Sequence, residues 1–147
     1  MMRVLLLSLM MIFTVFTGTT ARADKDSWKQ SCQKAQGIFS ILKQESGELP
    51  VCFFGEAVVG AEALSAVQDE GVQTQSLDAY KKGRTASVRG GVCGAFNAEL
   101  VTAKDAKGTT YNFCRFEDRS VMEETTLWLG PGASLSGSLD KALSRIN

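Results

Sequence analysis

The chain has 147 residues, with 16 basic and 16 acidic side chains, no net charge, four cysteines and no histidine. That length suits one small domain with its own core, and a neutral chain has no general attraction for nucleic acid or anionic lipid. Without histidine the commonest general base and metal ligand is missing, and a Ser-His-Asp triad is impossible.

Residues 1–23 open with Arg3, run apolar from Val4 to Phe16 and end Ala21-Arg22-Ala23. A charged start, an apolar centre and an A-x-A end form the pattern of a cleaved export signal. A membrane-spanning helix needs about 20 apolar residues, more than this run supplies, and no cysteine lies at the end of the run to carry a lipid. The expected mature chain starts near Asp24 and keeps 124 residues, with 14 basic against 16 acidic side chains, a net charge of −2. It is expected in the periplasm or outside the cell, with no stable membrane insertion, no nucleic-acid partner and no cofactor. Cys32, Cys52, Cys93 and Cys114 all follow the expected cut. An even count in an exported chain reads as a disulfide framework, which four cysteines can close in three ways. No C-x-x-C occurs, which argues against a redox or zinc site.

The first element expected is a helix over 24–37, with Trp28, Cys32 and Ala35 on one face and Gly37 as its stop. "IFSILKQ" (38–44) and "LPVCFFG" (49–55) read as strands around a Ser-Gly turn. "EAVVGAEALSAVQDEG" (56–71) reads as a helix, and 72–83 as a linker. The segment "RTASVRGGV" (84–92) is too rich in glycine to read as a helix. "AELVTAK" (98–104) and "TYNFCRFE" (110–117) read as strands flanking Lys107-Gly108. A helix is expected over 118–130, with Val121, Thr125 and Trp128 on one face. The tail carries Leu135, Leu139, Leu143 and Ile146 at helical spacing, the pattern of a packing helix.

These elements recur. Cys32 to Cys52 spans twenty positions and Cys93 to Cys114 twenty-one. Each second cysteine is preceded by a glycine, Gly47 or Gly108, and has a phenylalanine two places on. Lys43 aligns with Lys104, Val59 with Val121 and Glu62 with Glu124. Such self-similarity points to an internal repeat. The organisation expected is a signal (1–23), a first repeat (24–71), a linker (72–83), a second repeat (84–130) and a helical tail (131–147). The fold class expected is α+β: two helix–hairpin–helix repeats joined in a four-stranded antiparallel sheet covered by helices. Residues i and i+2 of a strand share a face, so Cys52 lies beside Phe54 and Cys114 beside Phe116. Phe54, Phe116, Trp28 and Trp128 are the expected core anchors.

The segment "FCRFEDRSVMEETTLWLGPG" resembles a family of small exported bacterial domains that carry a hemolysin label. Its pattern has a cysteine, then after about twenty residues a run of the type C-x-F-P-D-G-S-x-C-E-E-W. Cys114, Phe116, Asp118, Ser120, Glu123 and Glu124 match that run, with Cys93 as the first cysteine. Cys32, Gly37, Cys52 and Phe54 match in the first copy, where most of the acidic run is lost. Glu117 stands at the proline, Arg119 at the glycine, Met122 at the third cysteine and Thr125 at the tryptophan. What survives in both copies is the first and second cysteine, and the resemblance therefore implies the pairs Cys32–Cys52 and Cys93–Cys114.

Glu117, Asp118, Glu123 and Glu124 form an acidic cluster that suits a helix N-terminus better than a divalent cation. Nothing marks a pair of glycosidase carboxylates, a Ser-Lys pair has no motif, and "RGGVCGAF" lacks the GK[ST] ending of a phosphate loop. Lys81, Lys82, Arg84 and Arg89 read as a solvated basic linker. No catalytic or metal-binding residue is expected. The function expected is that of an exported, non-enzymatic binding protein with an envelope or extracellular protein as partner. The alternatives are an inhibitor of an exported hydrolase and a membrane-active, hemolysin-like factor.

Overall fold

The computed structural model describes residues 20–83 and 91–146. The expected signal lies almost wholly outside the described residues, as do Arg84 and Arg89. In chain order the elements are α1 (Thr20–Lys34), β1 (Ile38–Gln44), β2 (Gly47–Phe54), β3 (Ala57–Gly60), α2 (Ala61–Glu70) and α3 (Gln75–Lys82). There follow α4 (Gly91–Ala95), β4 (Glu99–Lys104), β5 (Thr110–Arg115), β6 (Val121–Glu123), α5 (Glu124–Leu129), a 3-10 turn at Ser134–Ser136 and α6 (Gly137–Ile146).

The strands form a closed barrel in the order β1-β2-β3-β6-β5-β4, antiparallel throughout. This corrects the expected four-stranded open sheet covered by helices. The difference comes from β3 and β6, whose residues were assigned to the helices that follow them. "AVVG" and "VME" are too short to show a two-residue period, so their apolar residues merge with the helical pattern behind them. With these strands each hairpin becomes a three-stranded meander. The meanders then join at two seams, Val59 opposite Met122 and Lys43 opposite Lys104.

Strand alternation divides the apolar residues into two cores. Leu42, Val51, Val58, Ala103, Phe113 and Val121 pack together inside the barrel. A narrow barrel has room for little but side chains, and this one is filled. On the outer wall Cys52, Phe54, Val59, Cys114, Phe116 and Met122 pack under the helices. Cys32 of α1 is bonded to Cys52 of β2, and Cys93 of α4 to Cys114 of β5, with Cα atoms 5.7 and 5.1 Å apart. Each disulfide thus pins a helix to the barrel's outer wall. Phe54 is 2% exposed and Phe116 8%, each beside its disulfide. Trp28 is half-buried against the same core, and Trp128 is half-buried on α5.

Several local features depart from the sequence pattern. The left-handed residue that ends α1 is Gln36, with φ 65°, and not Gly37. Gly37 is needed for a different reason: a Cβ there would lie 2.9 Å from the Phe54 ring and 3.2 Å from the Cys32 sulfur. Asn97, with φ 56°, closes α4 in the same way. The segment expected as a linker holds α3, whose Leu77 and Tyr80 are fully buried. The Tyr80 hydroxyl donates to Asp140 of α6 at 2.6 Å, tying the two helices. In α6, Leu139 and Leu143 are buried, as a packing helix requires. Opposite the second cysteines stand Val59 and Met122, so Met122 and not Val121 is the register counterpart of Val59.

Asp69 joins α1 to α2. Its carboxylate accepts hydrogen bonds from Ser31, which is buried in α1, and from Ser65 at 3.0 Å. The Ser31 hydrogen bond holds the Asp69 carboxyl below the usual range; burial works the other way, and Ser65 and the Lys34 ammonium add to the lowering. Because the folded-state pKa is depressed, this carboxylate contributes stability above the ordinary value near 3.9, roughly, and loses it as pH falls through the folded value. Asp69→Asn is therefore expected to lower the urea midpoint at pH 7, with the gap from wild type closing toward pH 3. A gap that does not change with pH refutes this account.

At the β3–β6 seam a Cβ on Gly60 would lie 2.8 Å from the Val121 Cγ2 and 3.0 Å from the Val121 carbonyl oxygen. Gly60→Ala is expected to cost about 1–3 kcal/mol through overpacking. Gly137 has helical φ and ψ and nothing within 4 Å of an added Cβ, so Gly137→Ala is expected to stabilise by about 0.4–1 kcal/mol. Chemical denaturation of both variants checks the contrast. Phe54→Ala and Phe116→Ala are expected to cost about 3–5 kcal/mol each, and a near-neutral result at either position would show that its ring is not a core anchor.

Candidate binding groove at the splayed seam

The acidic cluster divides between two capping tasks. The Asp118 carboxylate accepts from the Gln75 N–H at 2.8 Å and from the Ser120 N–H and hydroxyl at 2.9 and 2.6 Å. Ser120 in turn accepts from the Ser76 N–H at 3.0 Å, so the β5–β6 turn caps α3 from outside. Burial disfavours the Asp118 charge, but the hydrogen bonds from Gln75 and Ser120 prevail and hold its carboxyl below the usual range. Glu123 accepts from the N–H groups of Thr125 and Thr126 at 3.0 and 2.7 Å, capping α5. The Thr126 hydroxyl donates to Glu123 at 2.9 Å and accepts from the Val58 N–H of β3 at 3.0 Å. Glu117 is exposed and Glu124 sits in the first turn of α5. These carboxylates serve backbone donors, and among the described residues no group of three metal-ligating side chains converges. The four cysteines are all bonded. Of the basic patch, Lys82 pairs with Asp78 at 2.7 Å and Lys81 reaches Gln73 at 3.5 Å, both on the exposed side of α3.

The opening in the surface lies elsewhere, where β1 and β4 part. The two strands pair only at Lys43–Lys104 and Gln44–Ala103. Beyond that point β4 runs on from Thr102 back to Glu99 with no partner on that side. A groove of about 770 Å³ follows this free edge, with Glu99, Leu100, Val101 and Thr102 on one wall and the end of β1 (Lys43, Gln44) with the β1–β2 turn (Glu45, Ser46) on the other. Arg115 of β5 stands between this groove and a second one, of about 460 Å³, lined by Trp28, Pro50, Glu62 and Arg119. The Arg115 guanidinium donates to the Gln44 side chain at 2.9 Å, bridging the gap. Its cross-strand neighbour on β4 is Glu99, but among the described residues no carboxylate lies within ion-pairing distance of it. Lys25, on the rim of the second groove, is ion-paired with Glu48. Arg119 lies at the tip of the β5–β6 turn with φ 71°, a strained backbone conformation for a side-chain-bearing residue.

At the other end of the β1–β4 seam Ile38–Leu42 of β1 likewise lack a strand partner on that side, but the barrel mouth there holds an aromatic pair. Phe53 is the register counterpart of Arg115, because each follows its cysteine and they face Val58 and Val121 respectively. Tyr111 likewise corresponds to Leu49, since they face Ala103 and Leu42. Phe53 and Tyr111 meet edge to face with ring centroids 5.6 Å apart, and the Tyr111 hydroxyl donates to Asp105 at 3.4 Å. An aromatic plug at one mouth thus stands against an arginine and a glutamine at the other.

Sequence reasoning named Trp28, Lys43, Glu62, Lys104 and Arg119 in other roles and assigned no residue to a groove. A signal was present in β5: Tyr111, Phe113 and Arg115 share one strand face, so a charge falls in the phase that should point into an apolar barrel. The comparisons add no relative to this geometry: no family model, no curated protein and no solved structure matches the chain.

Proposed function

We propose that the protein is an exported, non-enzymatic binding protein, built from a tandem duplication and working in the periplasm or outside the cell. The observation that carries the binding reading is Arg115, half-buried without a carboxylate partner at the junction of two grooves. The barrel interior is filled, so a ligand must dock outside it. Rigid loops on a stapled scaffold suit that task, and an inhibitor of an exported hydrolase is one form it takes. Export is supported by the two disulfides and by the charged, apolar and A-x-A order of residues 1–23. Among the described residues no helix is long and apolar enough to cross a membrane.

The duplication rests on matched detail. Each half runs helix, three-stranded meander, helix, and each joins its first helix to its second strand by a disulfide. Gln36 and Asn97 leave their helices in the same left-handed conformation. At each seam one facing pair, Val59–Met122 and Lys43–Lys104, joins equivalent places, as a twofold relation between copies requires. The likeness to the hemolysin-labelled domains is supported at Arg119, which occupies the pattern's glycine position with a φ that favours glycine. Asp118 and Ser120 of that pattern do structural work as caps.

The test is direct. The protein is expected to leave dye-loaded anionic vesicles intact at micromolar concentration and to retain a saturable protein partner from envelope extract. Vesicle leakage would replace this reading with the membrane-active one. Turnover of a hydrolase substrate by the purified chain would replace it with an enzymatic one.

A further inference from the structure

We propose that the free edge of β4 is a docking site for an extended peptide segment carrying acidic side chains, which adds to the barrel as a strand beside Glu99–Thr102. The inference rests on the binding reading above and gives it a partner class. Three observations converge on it. First, Glu99–Thr102 have a strand neighbour on one side only. Every second residue of an antiparallel strand directs its N–H and C=O away from the existing partner, so this stretch, about 13 Å long, offers a ready template for main-chain pairing. Second, the space beside that edge is a groove of about 770 Å³, walled on the far side by the end of β1 and the β1–β2 turn. Leu100, 54% exposed on this edge, supplies apolar contact.

Third, the charge selects the occupant. Lys43, Lys104 and Arg115 line the groove against Glu45 and Glu99, leaving it with one net positive charge in a chain that has none overall. Arg115 spends one nitrogen on Gln44. A guanidinium has five donors in a rigid fork matched to a carboxylate, so most of its capacity is unspent. A peptide paired with β4 presents alternate side chains to the two sides of the sheet, and an acidic residue in the phase of Arg115, placed opposite Val101 and not opposite Glu99, meets this fork. At the other barrel mouth the aromatic pair Phe53–Tyr111, one ring from each meander, occupies the corresponding place.

The experiment is an NMR titration of the oxidised, nitrogen-15-labelled protein with three blocked peptides: acetyl-VEVEV-amide, acetyl-VKVKV-amide, and acetyl-VEVEV-amide N-methylated at alternate amides. The acidic peptide is expected to saturate at millimolar concentration or below, to shift the amides of Glu99–Thr102 and to slow their exchange. The basic and N-methylated peptides are each expected to bind at least about tenfold more weakly. Arg115→Gln is expected to weaken the acidic peptide by about tenfold or more, and Arg115→Lys, which keeps the charge but loses the fork, by less. The lysine variant carries the test if the glutamine variant does not fold. Equal binding of acidic and basic peptides overturns the charge selection, and equal binding of the N-methylated peptide overturns strand addition. Shifts confined to other residues, or no saturation, overturn the site. None of those results touches the binding reading itself, which fails on vesicle leakage, substrate turnover or the absence of any retained partner.

Discussion

With a Cβ at position 60 only 2.8 Å from the Val121 side chain, β3 could not lie against β6 as it does. Without that contact the meanders would meet only at the β1–β4 seam, as one open six-stranded sheet with β3 and β6 as bare edges. Their union depends on very little pairing: one residue pair at the β3–β6 seam and two at the β1–β4 seam. What makes so few pairs sufficient is the shared interior. Val58 and Val121, on either side of the glycine contact, both point into the barrel and meet Phe113 and Val51 there. The Thr126 hydroxyl adds a polar tie across the same joint, bonding the Val58 N–H of one meander to the Glu123 cap of the other.

Closure of the barrel also decides where recognition can happen. The interior takes up the inward side chains, and the helices take up much of the outer wall through Cys52, Phe54, Cys114 and Phe116. The surface left over lies where the covering is unequal. Phe39 is half-buried beside α1, whereas Leu100, its register counterpart, stays exposed. A similar inequality sets an aromatic pair at one barrel mouth and Arg115 with Gln44 at the other. The groove lies where the two halves differ.

Much of the scaffold was legible in the residues. β1 spans the segment its alternation marks, and β2, β4 and β5 differ from expectation only at their ends, because long runs of β-branched and aromatic residues carry a strong two-residue period. The cysteine pairs stand as the resemblance implies, and the phenylalanines beside them stand where the two-residue strand period puts them. The closed barrel was not legible, because closure is a pairing between residues far apart in the chain and no local pattern encodes it. β3 and β6 were hidden by their brevity. The helix α3 was hidden by its polarity, with only Leu77 and Tyr80 marking a buried side. Arg115 was passed over as a variable position between Cys114 and Phe116, although its strand phase set it apart.

Both disulfides close short loops, of 20 and 21 residues, inside a single meander unit. The seams, by contrast, bring residue 43 to residue 104 and residue 59 to residue 122. Oxidation therefore shortens the search within each half and does nothing for the search between halves. Loop-closure entropy has to be met before distant strand pairs form, and the disulfides lower it only within each half. Before closure, each half would present its own unpaired strand edges and the inward apolar face of its sheet. Two chains meeting at that stage could complete each other's barrels by exchanging halves, a route to dimers that the covalent staples leave open.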